Sequence, residues 1–137
     1  MKAFFDTSAL VKRYNQEKES LRVDELFQKA DSVSVSLLYL PEAISTLCRL
    51  RREGRVTHGS YVLCKQTLLD DFNGFVVCDL TEGVVTRCLQ LLEENALQAA
   101  DAVHIACALE TDADLFVTAD IAQAKAAKKA GLKVVEF

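Results

Sequence analysis

Four acids, Asp6, Glu42, Asp101 and Asp120, have surroundings that could support chemistry. Asp6 follows the apolar pair Phe4-Phe5 and precedes Thr7-Ser8, and Asp120 follows Phe116-Val117-Thr118-Ala119. Each acid closes a run that reads as a short strand, where parallel α/β sheets build their sites. The same positions suit a helix N-cap, because aspartate is favoured there and a helical pattern follows each. Taken singly, both readings stand. Glu42, in Leu40-Pro41-Glu42-Ala43-Ile44, falls in a first helical turn, where a glutamate also complements the helix dipole. Asp101 is the odder case. In Ala99-Ala100-Asp101-Ala102-Val103-His104-Ile105-Ala106 it is the lone acid among small and apolar residues. An unpaired carboxylate in such packing is unfavourable, so Asp101 needs a partner, and a shared cation would be one.

The elements that would carry these acids follow from periodicity and punctuation. Strands are expected at Lys2–Phe5, Val33–Ser36, Phe75–Cys78, Leu115–Thr118 and Leu132–Phe137. Helical patterns occupy Ser8–Tyr14, Glu19–Ala30, Leu38–Glu53, His58–Phe72, Thr81–Asn95, Ala99–Glu110 and Ala122–Ala130. Gly54 and Gly131 stop two of these helices, and Asn73-Gly74 makes a turn after another. Five strands separated by helices imply a parallel sheet covered on both faces, wound by right-handed crossovers into an α/β layer. At 137 residues the chain suits one domain spanning 1–137. Residues 115–120 would then place Asp120 on the same rim of the sheet as Asp6.

Composition narrows the class. Half the residues are apolar, enough for a real core, and no apolar run approaches the roughly 20 residues that span a bilayer. Asp6 comes too early for the apolar stretch of a signal peptide, so a cytoplasmic protein is expected. The five cysteines are widely spaced with no Cys-x-x-Cys pair, which reads as small buried hydrophobes in a reducing compartment and argues against a zinc site. Net charge is −4, yet Arg49–Lys65 holds five cations against one acid. That segment is either a solvated helix face or a phosphate contact.

The motifs Phe4-Phe5-Asp6-Thr7-Ser8-Ala9-Leu10, Ala99 to Ala106, and Phe116 to Asp120 with Gly131-Leu132-Lys133-Val134 resemble, in order, those of PIN domains, the nuclease fold of VapC-type toxins. Glu42 matches that family's helix-borne glutamate. The resemblance covers essentially the whole chain and implies the three-layer α/β/α PIN fold with a central parallel five-stranded sheet. It implies that Asp6, Glu42, Asp101 and Asp120 form an acidic quartet binding Mg²⁺ or Mn²⁺, with Thr7, Ser8 and Thr118 at rim positions where hydroxyls orient a carboxylate, water or phosphate. It further implies cleavage of single-stranded RNA to a 5′-phosphate end, a cognate antitoxin protein, and a homodimer for which the apolar helix around Leu37–Leu50 could supply the interface. One departure is that Ile121-Ala122-Gln123 stands where the family often has an aromatic after the last acid.

The chemistry suits the residues. Two carboxylates about 4 Å apart repel by about 4 kcal/mol at an effective dielectric near 20, so a crowded quartet either protonates or takes up cations. Hard oxygen ligands select Mg²⁺ or Mn²⁺. Such an ion can activate water, neutralise phosphate and stabilise the leaving oxygen without a histidine base. Lys12, Arg13, Arg49 and Arg52 are candidate RNA contacts, with a solvated surface as the alternative. His104 lies one turn after Asp101, either as a packed helix residue or as support for the acids. A phospho-acceptor receiver domain has a similar sheet, but it needs paired acids after the first strand and a lysine after the fifth. Neither is present. The remaining alternative is a PIN module that acts by binding protein or RNA rather than by catalysis.

Overall fold

A computed structural model describes residues 1–14 and 19–137. Its strands are β1 (Lys2–Phe5), β2 (Ser32–Ser36), β3 (Val76–Cys78), β4 (Leu115–Thr118) and β5 (Val134–Glu136). The helices among the described residues are α1 (Thr7–Leu10), α2 (Ser20–Lys29), α3 (Tyr39–Arg52), α4 (His58–Phe72), α5 (Glu82–Glu94), α6 (Ala99–Glu110) and α7 (Ile121–Lys129). The sheet runs β3-β2-β1-β4-β5, and all its pairings are parallel. This is the three-layer α/β/α arrangement expected.

The central strand explains why both faces need cover. In β1, Ala3 and Phe5 join one apolar cluster with Leu10, Val23, Tyr39, Leu47 and Leu68, while Phe4 points the other way into a second with Val84, Ile105 and Phe116. Successive side chains on a strand face opposite sides, so a run that is apolar throughout demands a helical layer on each. Phe4 and Phe116 stack across neighbouring strands with centroids 6.0 Å apart.

Two expectations are corrected here. The expected helix Ser8–Tyr14 divides into α1, starting at Thr7, and a tighter 3₁₀ turn at Val11–Arg13. The apolar face of α3, expected to be available for a dimer, is consumed by the core: Tyr39, Ala43, Leu47 and Leu50 are all buried. Exposed large apolar side chains lie instead on α4 (Val62, Leu63) and around β3 and α5 (Val76, Leu80, Val85, Leu89).

Candidate active site

Parallel strands end together, so the residues just past β1 and β4 share a rim. Phe5 pairs with Val117, and the Asp6 N–H donates to the Val117 carbonyl at 3.0 Å. Asp6 is completely buried. Its carboxylate accepts from the Ser8 hydroxyl at 2.8 and 2.9 Å, the Thr118 hydroxyl at 3.0 Å and the Ala9 N–H at 3.1 Å. Burial pushes its carboxyl above the usual carboxylate range, and these donors, Ser8 foremost, only partly restrain it.

Glu42 enters from α3. Thr7 donates to its Oε1 at 2.8 Å and His104 Nε2 does so at 2.6 Å. Burial alone would raise this carboxyl, but the bonds from His104 and Thr7 outweigh it and hold it below the ordinary value. His104 is itself buried, and its Nδ1 lies 2.9 Å from the Ser36 hydroxyl at the end of β2. Ser36 accepts from the Leu38 N–H at 3.1 Å, leaving its hydroxyl hydrogen free for Nδ1. An imidazole protonated on Nε2 therefore completes a chain from backbone to Glu42.

Asp101 and Asp120 meet through Gln123. The Asp120 carboxylate caps α7 by accepting the Gln123 N–H at 2.9 Å, and the Gln123 side-chain Nε2 donates to Asp101 Oδ1 at 2.9 Å. Burial, then the negative charge of Asp120, lifts the Asp101 carboxyl above its ordinary value. The Asp120 N–H donates to the Thr118 hydroxyl at 3.0 Å, and the Ala119 N–H to Ser8 at 3.0 Å. The hydrogen bonds thus make a circuit: Glu42 to Thr7, through the backbone to Asp6, to Thr118, Asp120, Gln123 and Asp101. One turn of α6 then leads to His104 and back to Glu42. All four acids lie on this circuit at the carboxyl edge of the sheet.

Ser36 and Gln123 were not singled out from the sequence. Ser36 is a buried hydroxyl at a strand end level with the other rim residues, and Gln123 is a buried amide on an otherwise alanine-rich helix face. Both stand out only once their burial is known. The basic residues divide. The Arg13 guanidinium pairs with Asp24 and with Asp71 at 3.1 Å and lies 4.0 Å over the Phe27 ring, so its charge is already engaged within the fold. Lys12 is half-buried and has an interaction of its own. Arg49 and Arg52 are exposed on the last turn of α3.

The donor chemistry suits a hard cation, because the site offers carboxylate and hydroxyl oxygens and Asp101 carries a charge that its neighbours oppose. Among the described residues, however, no three carboxylate, imidazole or thiol groups already form a closed ligand set. Each acid accepts at least one protein hydrogen bond, and a carboxylate so held still has lone pairs left for a cation.

A parallel sheet with an acid-bearing carboxyl rim defines the class, and the comparison with known families gives it a name. Residues 3–129 match the sequence model of the PIN domain, and the chain belongs to the PIN domain family. Among its relatives is ribonuclease VapC45 of Mycobacterium tuberculosis, 30% identical over 106 residues that span 77% of this chain and 74% of the relative. Solved structures that share the fold include the following two. VapC20 of Mycobacterium tuberculosis, a sarcin–ricin-loop-cleaving toxin, has a TM-score of 0.69 at 19% identity over 95% of each chain. A toxin–antitoxin complex from Klebsiella pneumoniae has a TM-score of 0.67 at 19% identity, covering 97% of this chain and 95% of that one.

Proposed function

We propose that this protein is a Mg²⁺- or Mn²⁺-dependent endoribonuclease that cleaves single-stranded RNA, and that it is the toxin of a toxin–antitoxin pair. The observation that carries the reading is the circuit joining Asp6, Glu42, Asp101 and Asp120 at one edge of the sheet. The family match supports the nuclease class, and the ribonuclease and toxin relatives support RNA as substrate and an antitoxin as partner.

In this reading the four acids would hold the cation. Once bound, the cation would lower the pKa of a coordinated water and offset charge on the phosphate. The chain's own residues do the positioning. Ser8 and Thr118 fix both oxygens of Asp6, Thr7 and His104 fix Glu42, and Gln123 fixes Asp101 against Asp120. With these side chains already held, little ordering remains to be done when substrate arrives. Exposed Arg49 and Arg52 would contact RNA phosphates away from the acids.

The test is cleavage of a single-stranded RNA panel with Mg²⁺ or Mn²⁺, followed by product-end analysis. Cleavage to 5′-phosphate ends that EDTA, Asp6→Asn and Asp101→Asn each abolish is the expected result. Activity retained in either folded variant would refute the quartet. One observation favours the alternative of a binding module: the acids are engaged by protein donors and do not already form a closed ligand set. A cation titration with no binding would support that alternative.

A further inference from the structure

Gln123 links two of the acids and keeps one polar atom unused. It is the third residue of α7 and only 4% exposed. Its backbone N–H serves Asp120 and its Nε2 serves Asp101, while its Oε1 is buried without a hydrogen-bond partner among the described residues. Packing does not explain this choice. The neighbouring buried positions Ala124, Ala126 and Ala127 meet the same layer with methyl groups and leave no orphan oxygen. A buried carbonyl oxygen without a donor is unfavourable, and its retention calls for a ligand.

The amide's orientation is set by charge. With Asp101 ionised and no cation beside it, Nε2 must face the carboxylate, because turning the amide over would bring Oε1 against another oxygen. A cation on Asp101 reverses that preference: the N–H is then repelled and the oxygen attracted. The turn gives up the Nε2 bond to Asp101, a loss that coordination of Oε1 by the cation offsets. We propose that Gln123 is a positioning residue of the cation site, holding Asp101 beside Asp120 through Nε2 until a divalent cation binds, then turning its amide to present Oε1 to the cation or its water. This rests on the reading of the quartet as a cation site.

The experiment measures Mn²⁺ dissociation constants by electron paramagnetic resonance for the full chain, Gln123→Met and Gln123→Glu, with circular dichroism confirming the fold. Gln123→Met keeps the volume but removes donor and oxygen, and its Mn²⁺ affinity should fall about tenfold, as for other residues supporting metal ligands. Gln123→Glu restores the oxygen and should bind Mn²⁺ at least as tightly as the parent. Unchanged affinity in Gln123→Met would overturn the proposal, since a packing role moves thermal stability and not the Mn²⁺ constant. Weakened binding in Gln123→Glu would overturn it as well, and that variant alone decides the matter should Gln123→Met fail to fold. A parent protein that binds no Mn²⁺ would instead bring down the cation-site reading itself, and this proposal with it.

Discussion

At the scale of single residues, the site is a set of carboxylates held in place by donors that cannot neutralise them. Asp101 shows the consequence. Its carboxyl is pushed up by burial and by Asp120, so the ionised form is less welcome in the folded chain than in the unfolded one. A group of this sign adds stability at low pH and loses it as pH rises through its folded pKa. Asp6 shifts in the same direction for the same first reason, whereas Glu42, held low by His104 and Thr7, would matter only in more acid solution. In EDTA the melting temperature should therefore climb as pH falls from neutrality toward the carboxylate range. Asp101→Asn keeps an oxygen for Gln123 and removes the charge. By calorimetry at pH 7 in EDTA it should melt about 2–5 °C above the parent, while no longer cleaving RNA. A lower melting temperature would mean that Asp101 is stabilised by its surroundings. His104 gives the complementary case. His104→Phe leaves Glu42 with Thr7 alone and removes the partner of the buried Ser36 hydroxyl. Cleavage should drop about ten- to a hundredfold, mainly in kcat, and the fold should lose about 1–3 kcal/mol by urea titration.

At the scale of elements, two readings that stood as rivals turn out to describe the same atoms. Asp6 and Asp120 are helix N-caps, accepting the Ala9 and Gln123 N–H groups, and each also lies on the acid circuit. The residue past a parallel strand is also the residue before the next helix, so capping and site formation coincide by topology. The caps make a prediction that separates the roles. Asparagine caps about as well as aspartate, whereas alanine does not, so Asp120→Ala should lose about 1 kcal/mol of stability and Asp120→Asn little. Cleavage should fall in both, because only the carboxylate serves a cation. Comparing melting temperatures with rates for the two variants checks this, and an active Asp120→Asn would reduce the residue to a cap. Much of the element plan was legible because the apolar runs and glycine stops are local signals. All five strands and the seven helices of the description lie where the patterns place them, with ends shifted by a few residues. The division at Leu10 was not legible, since no glycine or proline marks a break within Ser8–Tyr14. Nor was the circuit through Ser36, His104 and Gln123, because hydrogen bonds between residues 22 to 68 positions apart leave no trace in local periodicity.

At the scale of the whole molecule, the proposed function requires a protein of net charge −4 to hold a polyanion. Cations at the acidic rim would remove the local repulsion, and the distribution of arginines removes more. Glu42 stands in the first turn of α3 and Arg49 and Arg52 in its last. Ten residues of helix separate Glu42 from Arg52, about 15 Å, which is a few nucleotides of extended strand. A single RNA strand with its scissile phosphate at the acids could therefore reach these exposed guanidiniums along one rigid element. Neither arginine is locked away: Arg49 pairs with Glu53 only at 3.9 Å and is 59% exposed. Replacing both with alanine should weaken binding of single-stranded RNA, raise KM and leave kcat for saturating substrate nearly unchanged. Because each phosphate contact on a single strand contributes about 0.7 to the slope of log affinity against log salt, the double variant should lower that slope by about 1.4. Fluorescence anisotropy over a salt series reads the slope directly, using Asp101→Asn as the background so that the RNA survives. An unchanged slope would leave these arginines as solvated surface and require the RNA to take another path across the rim.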